Sequence, residues 1–259
     1  MARILITGAR RGIGLNAALR LAARGHEVIA SVHRTESISE VEKAAQAAGV
    51  SLISEKLDIL DPVDRRRAVA HHVDVLINNA AIGDTGPLIE VPLERVRSTH
   101  ETNVVATLAL TQEVIRPMIE RGSGKIIIIG SLLGRLSMPF MGPYVMTKFA
   151  LEAAIAALRA ELKPFGVTAC IIDPGAYATG FNEAMHTRKY EWLGDDSAYR
   201  KHMELVKFYE QVNLRPQGKH TDNIAHQIVK AVEARRPKPR YTAPWWQAWG
   251  VQLLRVFGR

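Results

Sequence analysis

The chain contains little cysteine and no long apolar run. Among its 259 residues there is one cysteine, Cys170, so an internal disulfide is excluded and a reducing compartment is favoured. Cys170 lies in an apolar run, where we expect a small buried side chain rather than a reactive thiol. No apolar run approaches the roughly 18 residues that a transmembrane helix needs. A strand-like segment at residues 4–6 and a glycine loop from residue 8 leave no space for a signal peptide. We therefore expect a cytoplasmic protein.

Acidic residues are fewer than basic ones. The chain has 26 Asp and Glu against 34 Lys and Arg, which gives a formal net charge of +8. A nucleic acid, an anionic membrane or a phosphorylated ligand would each account for such an excess. The hydrophobic fraction of 47% and the charged fraction of 23% exclude a disordered, collagen-like or disulfide-scaffold protein. At this length we expect a single domain over residues 1–259.

Short β-branched runs alternate with longer helical patterns. The strand-like runs lie at residues 3–7, 27–32, 51–57, 73–78, 125–130 and 167–172. Helical spacing follows at residues 13–24, 37–48, 93–116 and 144–163, and Pro62 fits the first turn of a short helix at 63–71. This alternation predicts an α/β fold with a doubly wound parallel sheet flanked by helices. From residue 176 to 217 the alternation stops and the segment has helical, polar and aromatic character.

A glycine-rich loop follows the first predicted strand. Gly8, Gly12 and Gly14 permit a tight turn and a close approach of the backbone to a pyrophosphate, whose charge meets the N-terminus of the next helix. Three glycines are weak evidence alone, and a simple turn is the alternative. Their position after the first strand of a βαβ unit favours dinucleotide binding.

Residues at the end of the second predicted strand indicate which dinucleotide binds. An Asp or Glu there would bond the adenosine ribose of NAD, but the chain has His33 and Arg34. Arg34, with Arg11 from the glycine loop, suits the 2′-phosphate of NADP(H). A solvated Arg34 is the alternative. Asp58, after the third strand, suits the adenine amino group, or it caps the turn before Pro62.

A Tyr and a Lys four residues apart are the candidate catalytic pair. Tyr144 and Lys148 share one face of a predicted helix. The lysine and an oxidised nicotinamide would lower the pKa of the phenol, which is near 10 when unperturbed. Ser131 follows the fifth strand and suits a group that holds a substrate carbonyl. Asn103 lies in a long helical pattern, where its amide suits a water relay to Lys148.

In this order, these motifs resemble those of the classical short-chain dehydrogenases/reductases over residues 2–235. The family's glycine motif falls on Thr7, Gly8, Gly12 and Gly14, and its Asn-Asn-Ala-Gly motif falls on residues 78–81. Its catalytic tetrad falls on Asn103, Ser131, Tyr144 and Lys148. Its Pro-Gly pair falls on Pro174 and Gly175, with Thr179 at a position that often contacts the carboxamide.

The resemblance implies a Rossmann fold with a seven-stranded sheet, the last strand lying near residues 240–242, and a homodimer or homotetramer. It implies hydride transfer between NADP(H) and a carbonyl or alcohol. Tyr144 would exchange the proton, Ser131 would position the substrate oxygen and Lys148 would hold the cofactor ribose. The residues expected to contact the cofactor are Gly8, Arg10, Arg11, Gly12, Ile13, Gly14, His33, Arg34, Asp58, Ile59, Asn79, Ala80, Ala81, Tyr144, Lys148, Pro174, Gly175, Tyr177 and Thr179.

Three positions depart from the family pattern. Ala81 replaces a glycine, and the stretch from Asp58 to Asn78 is short. Tyr177 replaces a small aliphatic residue beside the nicotinamide, where it would narrow the substrate site, stack there or face the core.

Two segments are expected to form the substrate site, residues 132–143 and 176–217. Their apolar side chains suit a lipophilic carbonyl or alcohol, or they pack a helix pair against the sheet. The candidates are Leu132, Leu133, Leu136, Met138, Phe140, Met141, Tyr177, Phe181, Met185, Tyr190, Trp192, Tyr199, Met203 and Phe208.

The tail at residues 234–259 has six basic residues, no acidic one and three tryptophans. An amphipathic helix at 244–259 would place Trp245, Trp249, Leu253 and Val256 on one face. It suits a lid or subunit contact, a peripheral membrane contact, or a plain solvated helix.

Two other classes of function compete with the enzyme. A regulator that senses NADP(H) without turnover would use the same fold, but it has no need of both Tyr144 and Lys148. Nucleic-acid binding is not expected, because the basic residues are dispersed and no recognition motif is present. The histidines lack metal-site spacing, so no metal is expected.

Overall fold

The structure is a computed structural model that describes residues 1–214 and 218–257. Within these residues, seven strands form one parallel sheet with the order β3-β2-β1-β4-β5-β6-β7. The strands are β1 (Arg3–Ile6), β2 (Glu27–Val32), β3 (Ile53–Lys56), β4 (Val75–Asn78), β5 (Gly124–Ile129), β6 (Val167–Pro174) and β7 (Arg240–Ala243). All six predicted runs and the seventh strand are confirmed.

The helices connect the strands and cover the sheet. They are α1 (Gly12–Ala23), α2 (Ile38–Ala47), α3 (Pro62–Val69), α4 (Leu93–His100), α5 (Thr107–Glu120), α6 (Gly142–Glu161), α7 (Phe181–Arg188), α8 (Met203–Leu214), α9 (Asp222–Glu233) and α10 (Trp245–Phe257). Pro62 occupies the first turn of α3, as predicted, and the carboxylate of Asp61 caps that helix by accepting from the Val63 N–H at 2.8 Å.

The sheet has an apolar core on each face, because successive strand residues point to opposite sides. Ile4 and Ile6 belong to one cluster and Leu5 to the other. Helices α1 and α9 supply the first cluster, and α5 and α6 supply the second. The molecule therefore has the doubly wound Rossmann architecture that the alternating pattern predicts.

One predicted helix is wrong in its continuity. Instead of a single helix at residues 93–116, α4 ends at His100, residues Glu101–Ala106 form a π-helical turn, and α5 continues to Glu120. Pro117 lies inside α5, which continues to Glu120, and the neighbouring Met118 is fully buried in the core. Hydrophobic spacing does not distinguish a π turn from an α turn of similar pitch.

Cys170 is buried in β6, as expected, and burial raises the pKa of its thiol to about 12. No helix in the described ranges is long and apolar enough to cross a bilayer. The predicted substrate segment and C-terminal helix each end outside the described residues, at 215–217 and 258–259, and so does the side chain of Val256.

Candidate active site

The predicted site residues lie at one edge of the sheet. Because the strands are parallel, the glycine loop after β1, Asn78 at the end of β4, Ser131 after β5 and Pro174 at the end of β6 all occupy the carboxyl edge. The strand order reverses between β1 and β4, and in open α/β sheets a ligand crevice forms at such a reversal.

The glycine loop is packed too closely for side chains. Gly8 and Gly12 have φ of +66° and +63°. A Cβ at Gly8 would lie 2.8 Å from the Cα of Ala80, and one at Gly12 would lie 3.0 Å from the Cβ of Thr179. A Cβ at Gly14 would lie 2.5 Å from the Asn79 Nδ2. The glycines thus let the loop pack between the segments that follow β4 and β6.

The N-terminus of α1 has the features of an anion site. The helix begins at Gly12, its N-cap residue Arg11 makes no side-chain cap, and its first turn contains no acidic residue. The first-turn amides and the positive end of the helix dipole can therefore receive a phosphate. Ile13 lies in this turn and packs partly buried against the core.

The basic residues around this loop differ in their partners. Arg10 forms an ion pair with Glu40 at 2.9 Å. Arg11 lies along Gly180, where a Cβ would be 3.0 Å from its Nη1. Within residues 1–214 and 218–257, neither Arg11 nor the exposed Arg34 has an acidic partner. Both are available to an anion in a way that Arg10 is not.

The residues after β2 and β3 interact with each other. The Nε2 of His33 lies 3.3 Å from an oxygen of Asp58, whose other oxygen accepts from the Leu60 N–H at 3.0 Å. Asp58 therefore caps the turn before Pro62, in which the Asp61 N–H donates to the Asp58 carbonyl at 3.0 Å, while Asp61 caps α3 itself. Ile59 is buried in the core.

Asn79 supports the glycine loop through its side chain. Its amide donates to the carbonyls of Thr7 and Gly8 at 2.9 and 3.0 Å. In turn, the Thr7 hydroxyl accepts from the N–H groups of Asn79 and Ala80, each at 3.0 Å. With both amide hydrogens used, the Asn79 side chain stabilises the loop, and Ala81, which follows it, is partly buried.

Helix α6 brings the candidate catalytic pair beneath Ser131. Tyr144 and Lys148 lie one turn apart and are 8% and 3% exposed. Ser131 lies near enough to Tyr144 to lower the pKa of its phenol, and the Ser131 hydroxyl accepts from the Leu133 N–H at 3.1 Å. The Nζ of Lys148 donates to the Ile129 carbonyl at 2.9 Å and lies 5.5 Å from the centre of the Tyr144 ring.

The acid–base properties of this pair are set mainly by burial. Burial raises the pKa of Tyr144 above its ordinary value, although the neighbouring Ser131 hydroxyl lowers it. The sequence-based expectation was a lowered phenol pKa. Without a cofactor the direction is the opposite, because burial dominates and Lys148 directs its ammonium at Ile129. Burial also lowers the pKa of Lys148 to about 8.

Asn103 lies in the π-helical turn and is fully engaged by protein groups. Its amide donates to the Ile82 carbonyl at 2.8 Å and to the Thr147 hydroxyl at 3.1 Å, and its oxygen accepts from the Ile82 N–H at 2.9 Å. Thr147 in turn donates to the Tyr144 carbonyl at 2.7 Å. The side chain therefore anchors the loop after β4 to α6. Its amide hydrogens are not free for the expected water relay.

Sequence reasoning missed a buried ionic network beside the pair. Arg240 of β7 donates to Asp173 of β6 and to Glu152 of α6. Asp173 is fully buried, its Oδ1 has no hydrogen-bond partner, and its charge raises the pKa of both Tyr144 and Lys148. The signal available in the sequence was an acidic residue at the end of the mostly apolar strand β6, which indicates a buried charge that needs a basic partner.

Tyr177 does not stack in the site. Its ring is buried in the core, and its hydroxyl donates to the Asn223 Oδ1 at 2.7 Å. Of the alternatives for this residue, the core position is correct, because burial of the ring is combined with a hydrogen-bonded hydroxyl. Gly175 donates to the Ala243 carbonyl at 2.8 Å, and Thr179 lies against Gly12.

Apolar side chains surround the Tyr144 ring. Met141, Val145 and Met185 form a buried cluster with it, and the Phe181 ring centre lies 5.7 Å away. Other predicted lining residues face elsewhere: Tyr190 and Phe208 are exposed. The substrate segment is fixed by Lys189, which is buried and bonds Glu210 at 2.5 Å.

The chain is similar in sequence to known proteins. A sequence model of the family described as short chain dehydrogenase matches residues 2–189. Human 17-beta-hydroxysteroid dehydrogenase type 1 is 32% identical over 250 residues, which cover 92% of this chain and 76% of that protein. The NADPH-dependent 3-dehydrocapnine reductase of Ornithobacterium rhinotracheale is 33% identical over 249 residues, with 92% and 86% covered.

A solved structure agrees with the sequence matches. A short-chain dehydrogenase from Streptomyces avermitilis superposes with a TM-score of 0.78 and 26% identity, covering 99% of this chain and 93% of that one. The family match includes the glycine loop, Ser131, Tyr144 and Lys148. The chain therefore belongs to the short chain dehydrogenase family and is an oxidoreductase.

Proposed function

We propose that this protein is an NADP(H)-dependent oxidoreductase that interconverts a lipophilic carbonyl compound and its secondary alcohol. The observation that carries the proposal is the buried arrangement of Ser131, Tyr144 and Lys148 at the sheet edge that also holds the glycine loop. A phenol, a hydroxyl and an ammonium group together suit proton transfer at a carbonyl oxygen.

The residues around the glycine loop fit a dinucleotide. The close packing at Gly8 and Gly12 and the uncapped N-terminus of α1 suit a pyrophosphate. Arg11 and Arg34 suit a 2′-phosphate, because neither has an acidic partner among the described residues. The bacterial relative named as an NADPH-dependent reductase supports this choice of cofactor.

When bound, the nicotinamide cofactor supplies or accepts the hydride. Tyr144 donates its proton to the substrate oxygen in reduction and takes it back in oxidation. Ser131 orients that oxygen through its hydroxyl, and Lys148 holds the cofactor ribose. Since burial raises the pKa of Tyr144, the phenol keeps its proton at neutral pH, as a group that protonates the substrate oxygen must.

The substrate is lipophilic in this proposal. Met141, Val145, Met185 and Phe181 surround the Tyr144 ring and offer an apolar wall. The human relative, named as a hydroxysteroid dehydrogenase, supports an apolar alcohol or ketone.

The proposal is tested by turnover with NADPH. Purified protein is assayed against a panel of aliphatic, aromatic and polycyclic ketones, and NADPH oxidation is followed by absorbance at fixed pH. We expect turnover of lipophilic ketones, loss of turnover in Tyr144→Phe, and cofactor binding within about twofold of the original protein in that variant. NADPH binding without turnover across the panel would instead favour a sensor, and full activity in Tyr144→Phe would contradict the assigned acid.

We also propose that the protein self-associates as a homodimer or homotetramer. Val105, Met146 and Phe149 are exposed apolar side chains on the π-helical turn and α6. Light scattering on the purified protein measures the mass directly, and a monomer at all concentrations would contradict this.

A further inference from the structure

Helix α10 lies against the two segments that the sequence predicts to line the substrate site. The Gln247 Oε1 accepts from the Ala176 N–H at 2.8 Å, and Gln252 accepts from Arg135 at 2.8 Å. Ala176 is the first residue of one predicted substrate segment, 176–217. Arg135 lies in the other, 132–143, directly after its first turn, Leu132–Gly134. The helix is thus attached to both segments through its polar side chains.

Helix α10 exposes its large apolar side chains, whereas an ordinary surface helix buries them. Gln247, Ala248 and Val251 face the protein and are partly buried. Its large apolar side chains point outward, with exposed fractions of 72% for Trp245, 51% for Trp246, 64% for Trp249, 53% for Leu253 and 55% for Leu254. A surface helix normally buries its apolar face. This outward face therefore has the character of a contact surface.

The charged residues of the segment that forms this face are all basic. Residues 234–259 contain no Asp or Glu, and the whole chain carries +8. On α10 itself Arg255 is exposed, and it lies near enough to Arg135 for the two charges to interact. A symmetric contact with a second copy would bring these guanidinium groups together without a carboxylate from the same segment. An anionic surface matches them.

We propose that the outward face of α10 docks on an anionic lipid surface. The tryptophans and leucines would enter the boundary between headgroups and acyl chains, where indole rings are favoured, while Arg255 and Arg135 meet anionic headgroups. Docking would bring Ala176, where one predicted substrate segment begins, towards the bilayer. That consequence for a lipophilic substrate rests on the proposed function, whereas docking itself does not.

The test is flotation of the full chain with lipid vesicles. Vesicles of phosphatidylcholine alone are compared with vesicles that also contain phosphatidylglycerol, at about 0.05 M and about 0.5 M salt. We expect the protein to float with the anionic vesicles, less so at the higher salt. The triple variant Trp245→Ser, Trp249→Ser, Leu253→Ser should bind about tenfold more weakly.

A matched variant controls for loss of exposed apolar area elsewhere. Leu205→Ser with Phe208→Ser removes two exposed side chains of α8, and we expect it to float like the original protein. Thermal unfolding verifies that every variant is folded. Reduction of a water-soluble ketone, measured without vesicles, reports separately on the proposed function.

Three results would overturn the proposal. They are absence of flotation with anionic vesicles, equal flotation of the triple variant, and a triple variant that changes only the mass measured by light scattering. The last result would show that a second copy of the chain covers this face.

Discussion

Arg240 in the edge strand β7 donates to the carboxylate of Asp173 in β6, and this buried carboxylate lies within electrostatic range of Tyr144 and Lys148. Burial raises the pKa of Asp173, against the lowering effect of Arg240, and the bond from Glu152 raises the pKa of Arg240. The proton affinity of the candidate acid is therefore connected to an edge strand that contributes no residue to the catalytic pair.

Replacing Asp173 by Asn should shift the pH profile of alcohol oxidation. The negative charge of Asp173 raises the pKa of Tyr144 and of Lys148, so its removal lowers both. The alkaline rise of kcat should move to lower pH by about 0.5–1 unit. The measurement is kcat against pH with a saturating alcohol and NADP⁺.

Glu152→Gln is the matched control, because Glu152 bonds the same arginine but is not among the charges that shift either pKa. An equal shift in both variants would mean that the network acts through packing rather than through the charge of Asp173.

Replacing Lys148 by Met should stabilise the cofactor-free protein while abolishing turnover. Burial lowers the pKa of Lys148 from 10.5 to about 8. Below pH 8 Lys148 is charged in both the folded and the unfolded state, so the whole cost of burying the charge destabilises the folded state. Between pH 8 and 10.5 the folded state loses the proton first, so this cost falls as pH rises. The variant also loses the hydrogen bond from Lys148 to the Ile129 carbonyl, which offsets part of this gain. We expect the free energy of unfolding to rise by about 2 kcal/mol at pH 7.

The readout is urea unfolding at several pH values. The stability difference between the Lys148→Met variant and the original protein should narrow between pH 8 and 10.5. Lys43→Met removes an exposed lysine from α2 and should show no such pH dependence. A variant that is less stable at pH 7 would contradict the assigned cost of burial.

Replacing Arg34 by Ala should impair use of NADPH much more than use of NADH. A lost charge-assisted bond to a 2′-phosphate corresponds to a rise in KM for NADPH of about tenfold or more. Arg11→Ala should behave similarly. Arg10→Ala is the control, because Arg10 is already paired with Glu40, and its effect should be small. Equal effects of Arg34→Ala on the two cofactors would refute the assignment to NADP(H).

Replacing Gly8 by Ala should destabilise the protein more than replacing Gly49 by Ala, although both glycines have φ of +66°. The strained backbone costs about 1 kcal/mol in each variant. At Gly49 a Cβ has nothing within 4 Å, whereas at Gly8 it would lie 2.8 Å from the Ala80 Cα. We expect a further loss of about 1–3 kcal/mol for Gly8→Ala, with weaker NADPH binding.

Thermal and urea unfolding measure the stability difference between these two variants, and fluorescence titration measures NADPH affinity. Similar stability and unchanged affinity in Gly8→Ala would show that the loop has more room than its packing indicates.

The sequence by itself determined the features that depend on local spacing. Short β-branched runs and helical spacing identified the strands and most helices, glycines marked the loop after β1, and a spacing of four put Tyr144 and Lys148 on one helix face. These predictions succeeded because pleat, helical pitch and backbone freedom are properties of neighbouring residues.

The tertiary structure decided what depends on distant partners. Arg240 bonds Asp173 and Glu152, which lie 67 and 88 residues away along the chain. Tyr177 enters the core because Asn223 receives its hydroxyl, and Asn103 is occupied by Ile82 and Thr147. The amphipathic spacing of α10 is visible in the sequence, but only docking of Gln247 on Ala176 turns its tryptophans outward. Burial and hydrogen bonding are set by three-dimensional neighbours, which no local pattern specifies.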